Sequence, residues 1–350
     1  MTATTNYSNG TVISTDWLNE VDALVFDYLP NVTGVVTPTH TELNYVGGVT
    51  SAIQTQLDAK IDDSVFPNVS GNVTPTHTEL NYVDGVTSAI QAQLDARSGR
   101  GYLDGCVLST AGSSATMSVA AGSAMDSTTV CVMVLSAIAK TTSAWAVGTA
   151  QGGLDTGAIA NSTWYHFYVI RRPDTGVVDV VFSTSASSPT LPTNYTQYRR
   201  IGSGKTNGSA QWTKFTQTGD TFEWDVAVYD VGQTNPGATA QSKTLTVPTG
   251  VVVEAIFNGG SRNAGTGVSA ATYFSPLHKS DEAPLETGIP LWGTGANVSN
   301  GAGGARASYT LHRVFTNTSA QIRVRVLGSD ADVTLNVATL GWVDSRGRNA

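Results

Sequence analysis

The chain has 350 residues, of which 13% are charged, 40% apolar and 8% aromatic, and it carries a net charge of −8. That length implies two or three domains, and the charged share is about half that of average globular proteins. The apolar share argues against disorder, and the acidic balance argues against a phosphate-binding surface, which depends on Lys and Arg.

The charge is concentrated at the start. Residues 1–59 contain no Lys or Arg, yet hold Asp16, Glu20, Asp22, Asp27, Glu42 and Asp58, so that the rest of the chain sums to −2. This acidic segment reads as a solvated surface or as a docking face for a basic partner. Residues 1–10 are polar and lack a basic start, so no signal peptide is expected. The longest apolar stretch, 130–139, is far short of a membrane span. A soluble protein made in a cytoplasm is the expectation. Cys106 and Cys131 form no CxxC and join no Cys/His cluster, so buried free thiols are expected.

Within residues 10–30, Trp17, Val21, Leu24 and Tyr28 recur at spacings of four, three and four, which places them on one face of a predicted helix. Ser14 or Thr15 can cap that helix and Pro30 stops it. The stripe must pack on something, either its own oligomer or a docking partner.

A tandem repeat follows. Residues 31–59 and 68–96 are offset by 37 positions and agree at 25 of 29. Such a repeat is one supersecondary unit used twice. Thr37-Pro38 and the capping box Thr39-x-x-Glu42, repeated at Thr76 and Glu79, predict a helix start, and Gly48 and Gly85 predict breaks. Leu43, Val46, Ile53 and Leu57, with Leu80, Val83, Ile90 and Leu94 in the second copy, form a narrow apolar seam that self-association would cover. An oligomeric helical stalk over residues 31–99 is therefore expected.

Beyond residue 100 the pattern becomes β. Residues 163–170 and 177–183 flank the turn RRPDTG and predict a hairpin. Residues 221–231 predict another strand, and Asn235-Pro236-Gly237 a boundary. Short strands are predicted over 242–247, 251–257, 308–315, 320–327 and 332–337, at the spacing of a sandwich. Residues 293–304 read as a long Gly/Asn loop. The fold class expected is mainly β, with an N-terminal α-helical repeat stalk and two antiparallel β-sandwich-like domains, 100–240 and 241–350.

Several of these segments resemble fibre and tail-fibre-like virion proteins of tailed bacteriophages. GTVISTDWLNEVDALVFDYL (10–29) looks like the opening that attaches such fibres to the particle. TELNYVDGVTSAIQAQLDA (78–96), with its twin at 41–59, is similar to a stalk repeat of those proteins; Gly47 departs from the Asp found at Asp84. Residues 162–203 resemble a β-module of the same proteins, and GWVDSRGR (341–348) resembles their ending. The matched segments cover under half of the chain. The resemblance implies a virion appendage, usually trimeric, docked through residues 1–30 to other virion structural proteins. A tail fibre attaching to a host-surface glycan or protein is the first expectation. A head or neck fibre or capsid decoration protein is the alternative, and a glycan-hydrolysing tailspike a more distant one.

No enzymatic activity, cofactor or metal is expected, and no nucleic-acid or membrane-inserted partner. Gly204-Lys205-Thr206 lacks the earlier Gly and the following helix of a phosphate loop. His40 and His77 are one repeat position counted twice, and His166 lies in an aromatic strand. No HExxH or GxSxG occurs. The close acid sets are Glu223 with Asp225, Asp281-Glu282 with Glu286, and Asp330 with Asp332; two-acid glycan hydrolysis would need such a pair. The candidate receptor loop runs from Trp292 to Arg306 and includes Asn297 and Asn300.

Overall fold

The computed structural model describes residues 101–265, 269–284, 293–299, 305–328 and 330–348, together with the isolated positions 15, 16, 55 and 99. The chain divides into two units, Met1–Asp84 and Gly85–Ala350, and nearly all described residues belong to the second. The expected fold class is overturned. Every element among the described residues is a strand, and they form four sheets. Positions 15, 16 and 55 have helical backbone, and no helical stalk is seen among the described residues. The described part is strand throughout, as its many β-branched and aromatic residues favour, and this overturns the expected class. Trp17, Val21, Leu24 and Tyr28, and all eight seam residues from Leu43 to Leu94, lie outside the described residues.

The proximal module is a curled sheet. Its strands are β1 (Leu103–Gly105), β2 (Leu108–Ser109), β3 (Thr116–Val119), β4 (Gly122–Met125), β5 (Val132–Leu135), β6 (Ile138–Ala144), β7 (Gln151–Leu154), β8 (Trp164–Arg171), β9 (Val178–Ser183) and β10 (Gln197–Lys205). Seven of them run in the order β10-β8-β9-β7-β6-β3-β2, and β1-β4-β5 form a small sheet beside them. β7 pairs in parallel with both β6 and β9, while the other ladders are antiparallel. The ends of the large sheet approach each other because Trp212 bridges both Ser114, ahead of β3, and Thr206, after β10. A sheet closed on itself in this way covers its inner face without a second layer, so this module is barrel-like and not the sandwich expected. Tyr165, Phe167, Phe182 and Trp212 fill the interior with edge-on and tilted ring contacts 5.1–5.8 Å apart.

β8 explains its own sequence. Tyr165, Phe167 and Val169 belong to the main core, whereas Tyr168 and Ile170 pack with Val181 and Tyr195 in a second cluster partly covered by Trp145, Leu191 and Tyr198. A strand buried on both faces reads as a continuous apolar run.

The distal module comprises β11 (Phe215–Thr218), β12 (Thr221–Thr234), β13 (Gln241–Thr244), β14 (Glu254–Asn263), β15 (Ser269–Ser275), β16 (Thr294–Ser299), β17 (Arg306–Phe315), β18 (Gln321–Leu327) and β19 (Val333–Val343). One sheet is β11-β12-β19-β14-β17 and the other β13-β18-β15-β16, all antiparallel. From β12 onward, successive strands alternate between sheets, except that β15 and β16 are neighbours in one, which is the order of an eight-stranded jelly roll with β11 added at one edge. β11 and β12 precede residue 240 yet pair within this module, and Asn235-Pro236-Gly237 forms the corner from β12 to β13. The segment expected as a Gly/Asn loop contains β16, held by β15 through Ala270↔Val298 and Thr272↔Ala296.

The two modules share one core. Trp164 of β8 meets Trp224 of β12 and Trp342 of β19, and Phe222 stacks on Trp342 at 5.1 Å. The segment after β19 fastens this junction. Asp344 takes two bonds from the Arg200 guanidinium, of 2.6 and 2.7 Å. The Arg346 side chain donates to Asp220 and to the Gly105 carbonyl, and that of Arg348 to Asp220 and the Leu103 carbonyl. Asp344 is held below the ordinary aspartate value: burial alone would raise it, but the Arg200 charge and its bonds outweigh burial.

Candidate functional site

A cleft lies on the outside of the proximal module, where the β6–β7 loop meets the β8–β9 turn and the segment before β10. Its volume is about 660 Å³, and its lining includes Trp145, Val147, Asp155, Arg172, Leu191 and Tyr195. A cavity of this size, mostly apolar with a few polar groups, suits a small ligand or part of a polymer.

The loop carrying Trp145 is braced from beneath by buried charge. Lys140 of β6 and Asp179 of β9 are 3.1 Å apart, with side chains 0% and 1% exposed. Lys140 Nζ also donates to the carbonyls of Ala146 (2.7 Å) and Gly148 (3.1 Å). Asp179 accepts from the Gly148 and Val180 amides at 2.7 and 2.6 Å. The pair thus grips both sides of the loop backbone. Burial pulls Lys140 below the ordinary lysine value, opposed by Asp179.

Trp145 is then fixed from three directions. Its Nε1 donates to the Val180 carbonyl at 3.1 Å, Lys140 Nζ lies 5.4 Å from its ring centroid, and Tyr195 meets it edge-on at 5.3 Å. Asp155 is set by the Thr156 and Thr190 amides. Arg172 makes a two-bond pair with Asp174 at the rim. A half-buried aromatic wall, a carboxylate and a guanidinium therefore face one opening on rigid supports. Such a set can stack on a flat apolar surface while bonding to hydroxyl groups.

The candidate loop 292–306 does not form one site. Trp292 and Asn300 lie outside the described residues, whereas Asn297 is exposed on β16 and Arg306 opens β17 in the other sheet. Among the candidate acids, Asp225 pairs with Lys214 at 2.9 Å and Asp281 with Arg325 at 2.9 Å. His166 is buried at the module junction, with Nδ1 2.9 Å from Ser203 Oγ. Burial, reinforced by nearby Arg200, pushes it down to about 4. Cys106 and Cys131 are buried and unbridged, and burial raises Cys106 to about 11. Gly204 and Lys205 end β10, and the Lys205 ammonium lies over the Trp164 ring. Among the described residues, no group of three metal-ligating side chains occurs and no helix is long and apolar enough to cross a membrane.

No protein-family model and no curated protein matches this chain. Among solved structures, the crystal structure of a Bacillus thuringiensis Cry1Da tryptic core variant is similar at 8% identity. The match covers 69% of this chain and 51% of that one, so the chain spans about half the length of its match. The TM-score is 0.19, a value too low to carry a structural argument.

Proposed function

We propose that the chain is a structural fibre of a tailed-phage virion, assembled from several copies, which attaches to a host surface by holding glycan in the Trp145–Tyr195 cleft. The observation that carries the attachment reading is the braced aromatic wall. Sugars offer C–H faces that stack on rings, and hydroxyls that bond to groups such as Asp155 and Arg172. Much of the lining, including Arg172, Leu191 and Tyr195, comes from the 162–203 segment whose sequence resembles phage fibres. The virion assignment rests on that resemblance and on the acidic opening and tandem repeat. Jelly rolls also occur in capsid and lectin domains, an analogy of fold alone.

Recognition fits the cleft better than hydrolysis. Among the described lining residues only Asp155 carries a carboxylate, and neighbouring Asp174 is engaged by Arg172. Two-acid glycan cleavage needs a second acid across the scissile bond.

The test uses purified full-length protein. It should label host cells and compete with phage adsorption, and Trp145→Ala should weaken both at least about tenfold, equivalent to ~1.4 kcal/mol of binding. Absence of labelling and competition by the folded wild type would remove the attachment reading and leave a decorating fibre. Release of reducing ends from host polysaccharide would instead favour the enzyme.

A further inference from the structure

The outer face of the five-stranded jelly-roll sheet has no layer over it among the described residues. Inward positions of β14 and β17, such as Ala255, Phe257 and Val314, are buried in the core. The alternate positions point outward, and there the chain places large apolar groups. Tyr229, Tyr309, Leu311 and Phe315 are between 47% and 63% exposed. Tyr229 and Leu311 share one cross-strand row through Ala338 and Asn258, and Asn336 and Tyr309 sit in the next. A contiguous patch of this kind marks an interaction surface.

We infer that this face is an interface between copies of the chain. Three features select a second copy over a sugar or a charged partner. The tyrosine tips are turned toward each other: Tyr229 Oη donates to Asn336 Oδ1 at 2.5 Å, and Asn336 Nδ2 donates to Tyr309 Oη at 2.8 Å. The face therefore presents ring faces and aliphatic groups more than hydrogen-bonding tips. Its charge is nearly balanced, since Glu254 and Arg313 pair at 2.6 Å and Arg262 stands at the far end. With residues 60–350 summing to −2, two such faces meet without strong repulsion.

The area is also sufficient. Four long strands spaced about 4.8 Å apart and about 33 Å long present roughly 600 Å² per copy, the lower bound of a stable interface. This geometry is independent of what the Trp145 cleft binds.

The experiment labels single cysteines with maleimide in the full-length protein, where Cys106 and Cys131 are buried. Leu311→Cys and Phe315→Cys report on the face, and Val134→Cys on β5 of the proximal module is the exposed control. At tens of micromolar, with light scattering showing more than one copy, the face cysteines should react at least about ten-fold more slowly than the control. Adding Tyr309→Lys with Tyr229→Lys to Phe315→Cys should restore fast labelling, with unchanged circular dichroism. Reaction at the control rate overturns the proposal whatever the mass, because the face is then open. Slow reaction in a monomer, or slow reaction that survives both lysines, also overturns it, because something other than a second copy covers the face. If the double-lysine variant does not fold, the labelling rates and the mass decide the matter alone.

Discussion

Lys140→Met isolates the brace beneath the cleft. The substitution keeps an apolar stem of similar length but leaves Asp179 charged and buried, and it removes the bonds to Ala146 and Gly148. Breaking one side of a buried ion pair costs about 3–5 kcal/mol. Asp179 keeps its bonds from the Gly148 and Val180 amides, so a value near the lower end, ~3 kcal/mol, is expected. Adding Asp179→Asn removes the stranded charge while keeping an acceptor for those amides, and should recover about 2 kcal/mol. Urea unfolding followed by tryptophan fluorescence measures the stability, and hydrogen exchange at the Gly148 amide reports the loop itself. If Lys140→Met costs less than about 1 kcal/mol, or the double variant is no more stable than the single, the pair does not hold the loop. The Trp145 wall would then lack the rigidity assigned to it.

Two further outcomes follow from the junction between modules. His166 has a folded value of about 4 against 6.5 in the unfolded chain, so the unfolded state binds more protons between those values. Stability is then fully present above about pH 6.5 and falls by about 3 kcal/mol as the pH drops to 4, measured as urea midpoints across that window. A flat profile would contradict it, and His166→Asn should flatten the slope. Asp344→Asn leaves the Arg200 guanidinium buried beside a neutral amide and should cost about 3 kcal/mol by the same assay, with no loss if the contact is incidental.

How far these features could be read from the residues depended on their range. β8 and β9 were legible because a dense aromatic and β-branched run, a polar turn and a second run follow in immediate succession. β17, β18 and β19 were legible from length and alternation. β16 was not, because TGANVS resembles a loop until Ala296 and Val298 are seen buried against β15. The seam from Leu43 to Leu94, on which the helical stalk was expected, lies outside the described residues. The Trp145 cleft had no local signal: its brace joins Lys140 to Asp179 across separate strands, and only the parallel ladders through β7 bring them together. GWVDSRGR carries no local sign that Asp344, Arg346 and Arg348 fasten the modules, because their partners lie more than a hundred residues away.

The virion assignment is tested most directly on intact phage particles. Gold-conjugated antibody raised against the folded protein should mark an appendage in electron micrographs, at the same place on every particle. Particles that stay bare, while lysate from infected cells contains the protein in abundance, would contradict the account.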